Sequence, residues 1–261
     1  MKTFIILIIF ILGNSLGYSY LSLEHSTKPN IKKTYINKTD FENNIKPLRQ
    51  TIKNQKNIET IQKKCKSNIF PKNKYLLTFD DGPYENITKE ILEILNQYDV
   101  NAVFFLLGKN IIKNPHLINK IVKNGHILGN HTFTHRSLKK LNYTQTKNEI
   151  KSTNLLINNI LGFEYPIKLF RPPYGKRNSS FDQIMQNKKL TGCFWNFDTL
   201  DWQVDELGVS KNEIKNNIKT QIQKNPTGGK NILFHDVEKV TPKLLPYTIE
   251  KLKKYGNSSI F

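Results

Sequence analysis

From Lys72 onward, short apolar runs alternate with stretches whose apolar residues recur every three or four positions. The runs Tyr75–Phe79, Ala102–Leu107, His126–Asn130, Ile167–Phe170, Cys193–Phe197 and Asn231–Phe234 have the length and texture of buried strands. Between the first two, Ile87, Ile91, Leu92, Leu95 and Tyr98 share one helical stripe. Pro115 opens a shorter helix carrying Leu117, Ile118, Ile121 and Val122, which Gly125 closes. Ile150, Ile157, Ile160 and Leu161 mark a longer helix that stops at Gly162. Ile214, Ile218 and Ile222 mark another, and Leu244, Leu245, Ile249 and Leu252 a last one ending at Gly256. Strands alternating with helices predict an α/β fold with parallel strands and right-handed crossovers. A full eight-fold barrel takes about 250 residues. The patterned region is shorter, so a smaller or irregular barrel is expected.

The first 71 residues have a different texture. Met1-Lys2 and the apolar run Phe4–Leu12 precede Ser15-Leu16-Gly17, and residues 1–17 read as a secretory signal. The run is too short to span a bilayer, where about 20 apolar residues are needed. An anchor extended through Leu16, Tyr18, Tyr20 and Leu21 is the lesser alternative. Residues 18–71 are rich in Lys, Asn and Thr and read as a basic tether, with one weak helix near Ile52–Cys65.

The formal charge of +19 invites a nucleic-acid partner. The distribution argues against one. Residues 1–71 carry 12 basic and 4 acidic side chains, residues 72–261 carry 28 and 17, and only 4 of the 40 cations are Arg. That is a general Lys/Asn/Ile bias rather than a patch, whereas base reading favours Arg and interleaved aromatics. Cys65 and Cys193 allow one bridge or two buried thiols. Six Asn-x-Ser/Thr sequons carry little weight in so Asn-rich a chain.

Chemistry gathers where the strands end. After the first come Asp80-Asp81, and after the third Asn130-His131-Thr132-Phe133-Thr134-His135. After the fourth comes Arg171-Pro172-Pro173-Tyr174-Gly175, after the fifth Asp198-Thr199-Leu200-Asp201-Trp202, and after the sixth His235-Asp236. The second strand, Ala102–Leu107, looks silent. In a parallel barrel these ends open on one face, where active sites sit. Asp80-Asp81 before Gly82-Pro83 is by itself an acidic turn. On a strand the two carboxylates diverge unless the turn re-aims one. His131 and His135, four apart, fall on one side of a helical turn. With one Asp81 oxygen they form a two-His-one-carboxylate set for a divalent ion. His235 near such an ion is a candidate general acid. Arg171 reads equally as a partner of any nearby carboxylate, and Trp202 as a core aromatic or a substrate wall.

Thr78–Pro83, the His131/His135 pair, Arg171–Gly175, Asp201-Trp202 and Leu233-Phe234-His235 resemble, in order, the five motifs of the polysaccharide deacetylases. These are the NodB-homology carbohydrate esterases of family 4. The resemblance spans about residues 72–261 and implies a distorted, incomplete (β/α) barrel as the catalytic domain. It implies Asp81, His131 and His135 as ligands of one divalent metal ion, zinc in the first place and cobalt or another ion as alternatives. It implies Asp80 as general base, Arg171 as the residue that orients it, His235 as general acid and Asp201 as that histidine's partner. Trp202 and Leu233 resemble the walls of an acetyl-methyl pocket. Pro173 resembles part of the substrate-binding loop, and the Tyr174 backbone N–H part of an oxyanion hole. One departure is the apolar strand near Ile127, where the family often carries an acid; no effect on the metal is expected.

The implied function is metal-dependent removal of N-acetyl groups from N-acetylglucosamine residues of chitin or peptidoglycan, releasing acetate. An O-acetyl-ester (acetylxylan-type) esterase and a catalytically inactive glycan-binding protein are the alternatives. The expected protein is a monomer, secreted or held in the cell envelope, with an N-acetylated polysaccharide as partner. No nucleic acid is expected, nor a stable membrane span after signal cleavage. The loops are short and no carbohydrate-binding module is visible.

Overall fold

The structure is a computed structural model that describes residues 3–12, 15–24, 30–36 and 57–260, the first three stretches as backbone alone. Those three are the strands β1 (Thr3–Leu12), β2 (Ser15–Glu24) and β3 (Asn30–Ile36), paired antiparallel. The run read as a signal, and part of the stretch read as a tether, therefore take a strand backbone, as suits β-branched and aromatic residues. No helix among the described residues is long and apolar enough to cross a membrane.

Eight further strands make the main sheet: β4 (Lys74–Asp80), β5 (Ala102–Leu106), β6 (Ile127–Asn130), β7 (Leu169–Phe170), β8 (Thr191–Gly192), β9 (Phe197–Asp198), β10 (Lys230–His235) and β11 (Ser258–Ser259). They pair in parallel in the order β8-β7-β6-β5-β4-β10-β9, with β11 added beside the start of β4. The two outer strands of that path are consecutive in the chain. Laid flat, seven strands would hold their outer members about 29 Å apart. The five steps from Gly192 to Phe197 reach at most about 18 Å. The sheet must therefore curl, and Cys193–Asn196 crosses its open seam without a ladder. This is the incomplete (β/α) barrel.

The seam corrects one expectation. Of the run Cys193–Phe197 only Phe197 is in a strand; Cys193–Asn196 lies between two short ones. Its backbone groups are taken elsewhere, with Cys193 N–H on the Phe170 carbonyl at 2.9 Å and Asn196 N–H on the Asn231 carbonyl at 3.2 Å.

Alternation along the strands sorts the barrel's two faces. Tyr75, Leu77, Phe79, Phe104, Leu106, Leu128, Ile232 and Phe234 pack outward with the helical stripes. The expected stripes Ile87/Ile91/Leu95, Ile150/Ile157 and Ile214/Ile218/Ile222 are buried there. Leu76, Val103, Phe105, Ile127, Leu169 and Cys193 form a second, inner cluster. Gly129 leaves room for the inner Phe105 ring, since a Cβ there would fall 2.5 Å from it.

The closed end of the barrel is filled by the helix Asn57–Ser67, where a weak helix near Ile52–Cys65 was expected. Its Ile58, Ile61 and Cys65, with Phe70, join the inner cluster, and Cys65 is bridged to Cys193. The packed body thus begins ahead of Lys72, within the stretch read as tether, because the bottom of the barrel needs an apolar cover. The bridge spans a sequence separation of 128. Replacing both cysteines by Ser is expected to cost about 2–4 kcal/mol of stability, read as a lower urea midpoint. An unchanged midpoint would mean that packing alone holds the helix.

Candidate active site

At the open end, the inner face turns from apolar to charged. Asp80 ends β4 pointing inward, in line with Leu76 and Thr78, and is 3% exposed. Asp81 would point away on a continuing strand. Instead its backbone takes φ 76, which re-aims the side chain to the same side. Nine non-glycine residues have positive φ among the described residues, and Asp81, Thr132, His135, Tyr174 and Leu200 are five of them. Such backbone costs about 1–3 kcal/mol per residue, and here it is concentrated in the loops that carry the site.

His131 and His135 meet Asp81 without the helical turn that their spacing suggested. Residues 131–135 form a loop with φ 76 at Thr132 and φ 66 at His135. Asn130 Oδ1 accepts the Thr132 N–H, and the Glu149 carboxylate accepts the N–H groups of Phe133 and Thr134 and the Thr134 hydroxyl. Asn130 is fully buried and its amide nitrogen donates to the Ile150 carbonyl, which leaves its sequon no room for a glycan.

Asp81, His131 and His135 each offer one ligand atom, all within 4.8 Å of one another. Asp81 Oδ1 lies 3.4 Å from His131 Nε2 and 3.2 Å from His135 Nε2. Ligands about 2.0–2.2 Å from a tetrahedral ion sit roughly 3.3–3.5 Å apart, so the spacing fits a coordination edge. Asp81 Oδ1 is also buried without a hydrogen-bond partner. His131 Nδ1–H donates to the Arg171 carbonyl at 2.7 Å, which turns the bare Nε2 toward Asp81. Burial lowers His135 to about 4, so its ring is neutral at neutral pH. Burial would raise Asp81, but the close approach of His131 above all, with His135 and the His235 cation nearby, holds it well below the usual carboxylate range. These three residues could hold a divalent ion.

Asp80 is fastened differently. Arg171, fully buried, donates from Nη1 to Asp80 Oδ1 and to Thr78 Oγ1, both at 2.8 Å, and from Nε to the Cys193 carbonyl at 2.9 Å. Its guanidinium lies 4.2 Å from the centre of the Phe105 ring. The second carboxylate oxygen, Oδ2, is left facing the histidines, 3.7 Å from His131 Nε2.

Opposite stands His235, at the end of β10. Its Nδ1 donates to Asp201 Oδ1 at 2.8 Å. Asp201, fully buried, also accepts the N–H groups of His235 and Trp202 and the Thr241 hydroxyl. Burial would lower His235, but Asp201 above all, with Asp81 and Asp80, raises it to about 10. The imidazole is a cation at neutral pH. Trp202 is half-buried, Leu233 and Pro173 are buried, and the Tyr174 ring lies 4.6 Å from that of His135.

Residues 67–193 match the family model described as polysaccharide deacetylase. A solved peptidoglycan N-acetylglucosamine deacetylase, Bc1960, is 33% identical, with a TM-score of 0.65 over 73% of this chain and 86% of that one. The chain belongs to the polysaccharide deacetylase family. A curated relative from Bacillus cereus, described as a peptidoglycan-N-acetylglucosamine deacetylase, is 39% identical over 58% of this chain and 53% of its own. The chain thus spans about half of that relative's length. A third similar protein is a CE4-family pseudoenzyme from Bacillus anthracis, with 26% identity and a TM-score of 0.63 over 72% of this chain and 63% of that one. The deacetylase fold alone therefore does not decide activity; the residues in it do.

Two parts of this deacetylase-family site escaped the sequence reading. The strand taken as silent leads into the helix Gly108–Lys113, which ties two loops together. Gly108 and Lys109 donate backbone N–H groups to the carbonyls of Thr132 and Phe133. Asn110 and Asn114 donate side-chain N–H groups to the carbonyls of Asp81 and Pro83. These are backbone bonds and small residues, which leave no distinctive motif.

The other is Asp236, seen in sequence only as the neighbour of His235. It is fully buried against Gly82, where an added Cβ would fall 2.0 Å from its carboxylate. Its Oδ2 accepts the Thr88 hydroxyl at 2.9 Å, and Thr88 Oγ1 accepts the Tyr84 N–H at 2.7 Å. The carboxylate is thus a floor under the turn that aims Asp81. Asp236→Ala is expected to weaken divalent-metal affinity about 10- to 100-fold, measured by chelator competition. Unchanged affinity in a folded variant would deny it that supporting role.

Proposed function

We propose that this chain is a metal-dependent hydrolase that removes N-acetyl groups from N-acetylglucosamine residues of a cell-wall polysaccharide, peptidoglycan before chitin. The observation that carries this reading is one cup holding both a three-residue ion site and two separately anchored proton-transfer groups. An ion held by Asp81, His131 and His135 would polarise the acetyl carbonyl and lower the pKa of a water. Two imidazoles and a carboxylate suit zinc.

The chain's own groups do the rest. Asp80 Oδ2, with Oδ1 held by Arg171, takes a proton from the attacking water. The Tyr174 backbone N–H donates to the oxyanion as the carbonyl carbon becomes tetrahedral. Trp202 and Leu233 border the acetyl methyl, and Pro173 shapes the loop beside it. As the C–N bond breaks, His235 passes its proton to the leaving nitrogen, giving acetate and a free amine. The N-terminal segment fits export to the envelope, where such a substrate lies.

Acetate release should be measured on peptidoglycan, chitin oligosaccharides and acetylxylan, with EDTA and then zinc or cobalt added back. Release from an N-acetylated glycan, lost with EDTA and restored by metal, is expected. Release that survives EDTA, or persists in His131→Ala, sinks the metal assignment. Activity on acetylxylan alone favours the esterase, and glycan binding without any release favours an inactive protein like the Bacillus anthracis relative.

A further inference from the structure

Arginine is scarce here: 4 residues against 36 Lys. Three of the four, Arg136, Arg171 and Arg177, follow or form the site motifs. Arg171 is consumed in holding Asp80. Arg177 is exposed, and its guanidinium lies 4.4 Å from the Phe194 ring centre and 5.4 Å from that of Phe181. Those two rings are themselves packed together at 6.2 Å. Stacking fixes a guanidinium plane while leaving its N–H edges open. The Arg177 side chain makes no hydrogen bond or ion pair among the described residues, and neither do those of Arg136, Lys176 or Lys109, all exposed.

Position ties these cations to one side of the cup. Arg136 follows His135 directly, and Lys109 lies close enough to lower its pKa. Arg177 is three residues beyond Tyr174, whose ring touches His135. Three residues reach at most about 11 Å. Glu149, which lies on this side, is spent on the 131–135 loop. Across the cup, Glu238 lies near Asp201, His235 and Asp205. A substrate lying over the site meets exposed cations on the side of Tyr174.

We propose that Arg177, supported by Arg136 and Lys176, forms a subsite that binds a carboxylate carried by the glycan beside the sugar being deacetylated. A planar, stacked guanidinium suits bidentate carboxylate recognition, which a mobile Lys does not supply. The inference rests on the hydrolase reading above and sharpens its substrate. It favours glycans with acidic substituents, such as the lactyl or peptide carboxylates of peptidoglycan, over neutral chitin.

The test uses the full, metal-loaded chain and three probes: soluble peptidoglycan fragments with free carboxylates, the same fragments amidated, and chitotetraose. Binding by calorimetry and acetate release are both read. Arg177→Ala is expected to weaken binding of the carboxylated fragments about tenfold or more, raising KM rather than lowering kcat. Its affinity for the amidated fragments and chitotetraose should stay as in the parent protein. Arg177→Lys should recover part of the loss, and Lys243→Ala, an exposed charge-matched control on the last helix, should lose no affinity. Equal loss on all three probes would make Arg177 a packing residue. Equal loss in Lys243→Ala, or competition by inorganic phosphate as strong as by the carboxylated fragment, would make the effect general charge attraction. Either overturns the subsite. Carboxylate-dependent binding without acetate release would refute the hydrolase and keep the subsite; release without carboxylate discrimination would do the reverse.

Discussion

Asp80→Asn is expected to bind metal like the parent protein and to lose about 10²- to 10⁴-fold in kcat, whereas Asp81→Asn is expected to lose the metal first. The two carboxylates are adjacent in sequence but are held by different partners. Asp80 Oδ1 is fixed by Arg171 at 2.8 Å, and an Asn carbonyl oxygen can accept that same bond. What Asn removes is the basic second oxygen that faces the histidines. The guanidinium, fully buried, keeps a polar partner, so the variant should fold. Asp81 has no such anchor; its Oδ1 is buried, unpartnered and 3.2–3.4 Å from two imidazole nitrogens. Replacing it by Asn takes away the negative charge that a divalent ion would neutralise. Chelator competition gives the affinities, and acetate release at saturating metal gives kcat. If both variants lose metal equally, the division between the two residues is wrong.

The site was more legible in the sequence than the framework that aims it. Asp80, Asp81, His131, His135, Arg171, Asp201 and His235 are residue types with few reasons to crowd strand ends, and a parallel barrel brings such ends together. The strands themselves showed through because both faces are buried, which leaves near-continuous apolar runs. Geometry inside the loops was not legible. The spacing of His131 and His135 implied a helix, but two left-handed residues bring the rings together instead. The seam at Cys193–Asn196 looked like a strand because its residues are apolar; they pack inward or carry Arg177 rather than join a ladder. Asn110, Asn114 and Asp236 were illegible for a simpler reason. Each acts on a backbone group or a small residue far away in the chain, and nothing in the local sequence marks the partner.

The Asp201–His235 pair carries the second large effect. Burial alone would lower the histidine, and the Asp201 carboxylate at 2.8 Å is the main reason it rises to about 10 instead. The sign for folding follows. This pair's contribution is complete below the unfolded histidine's value near about 6.5, and it fades as pH rises through about 10. For turnover, the parent protein keeps His235 protonated, and able to act as an acid, across the neutral range. In Asp201→Asn the main raising charge is gone and burial prevails, so the acid form should persist only at acid pH. On an N-acetyl substrate near pH 8, kcat should fall about 10²- to 10⁴-fold, and the loss should narrow toward pH 5.5. An activated ester such as 4-nitrophenyl acetate has a leaving group that departs unprotonated, so its hydrolysis should fall far less. Thermal melts check that the variant folds, since Thr241 and two backbone N–H groups also lose their carboxylate acceptor. His235→Ala, which leaves Asp201 in place, should show the same amide-over-ester split. Equal losses on both substrates at every pH would mean that His235 does not protonate the leaving nitrogen.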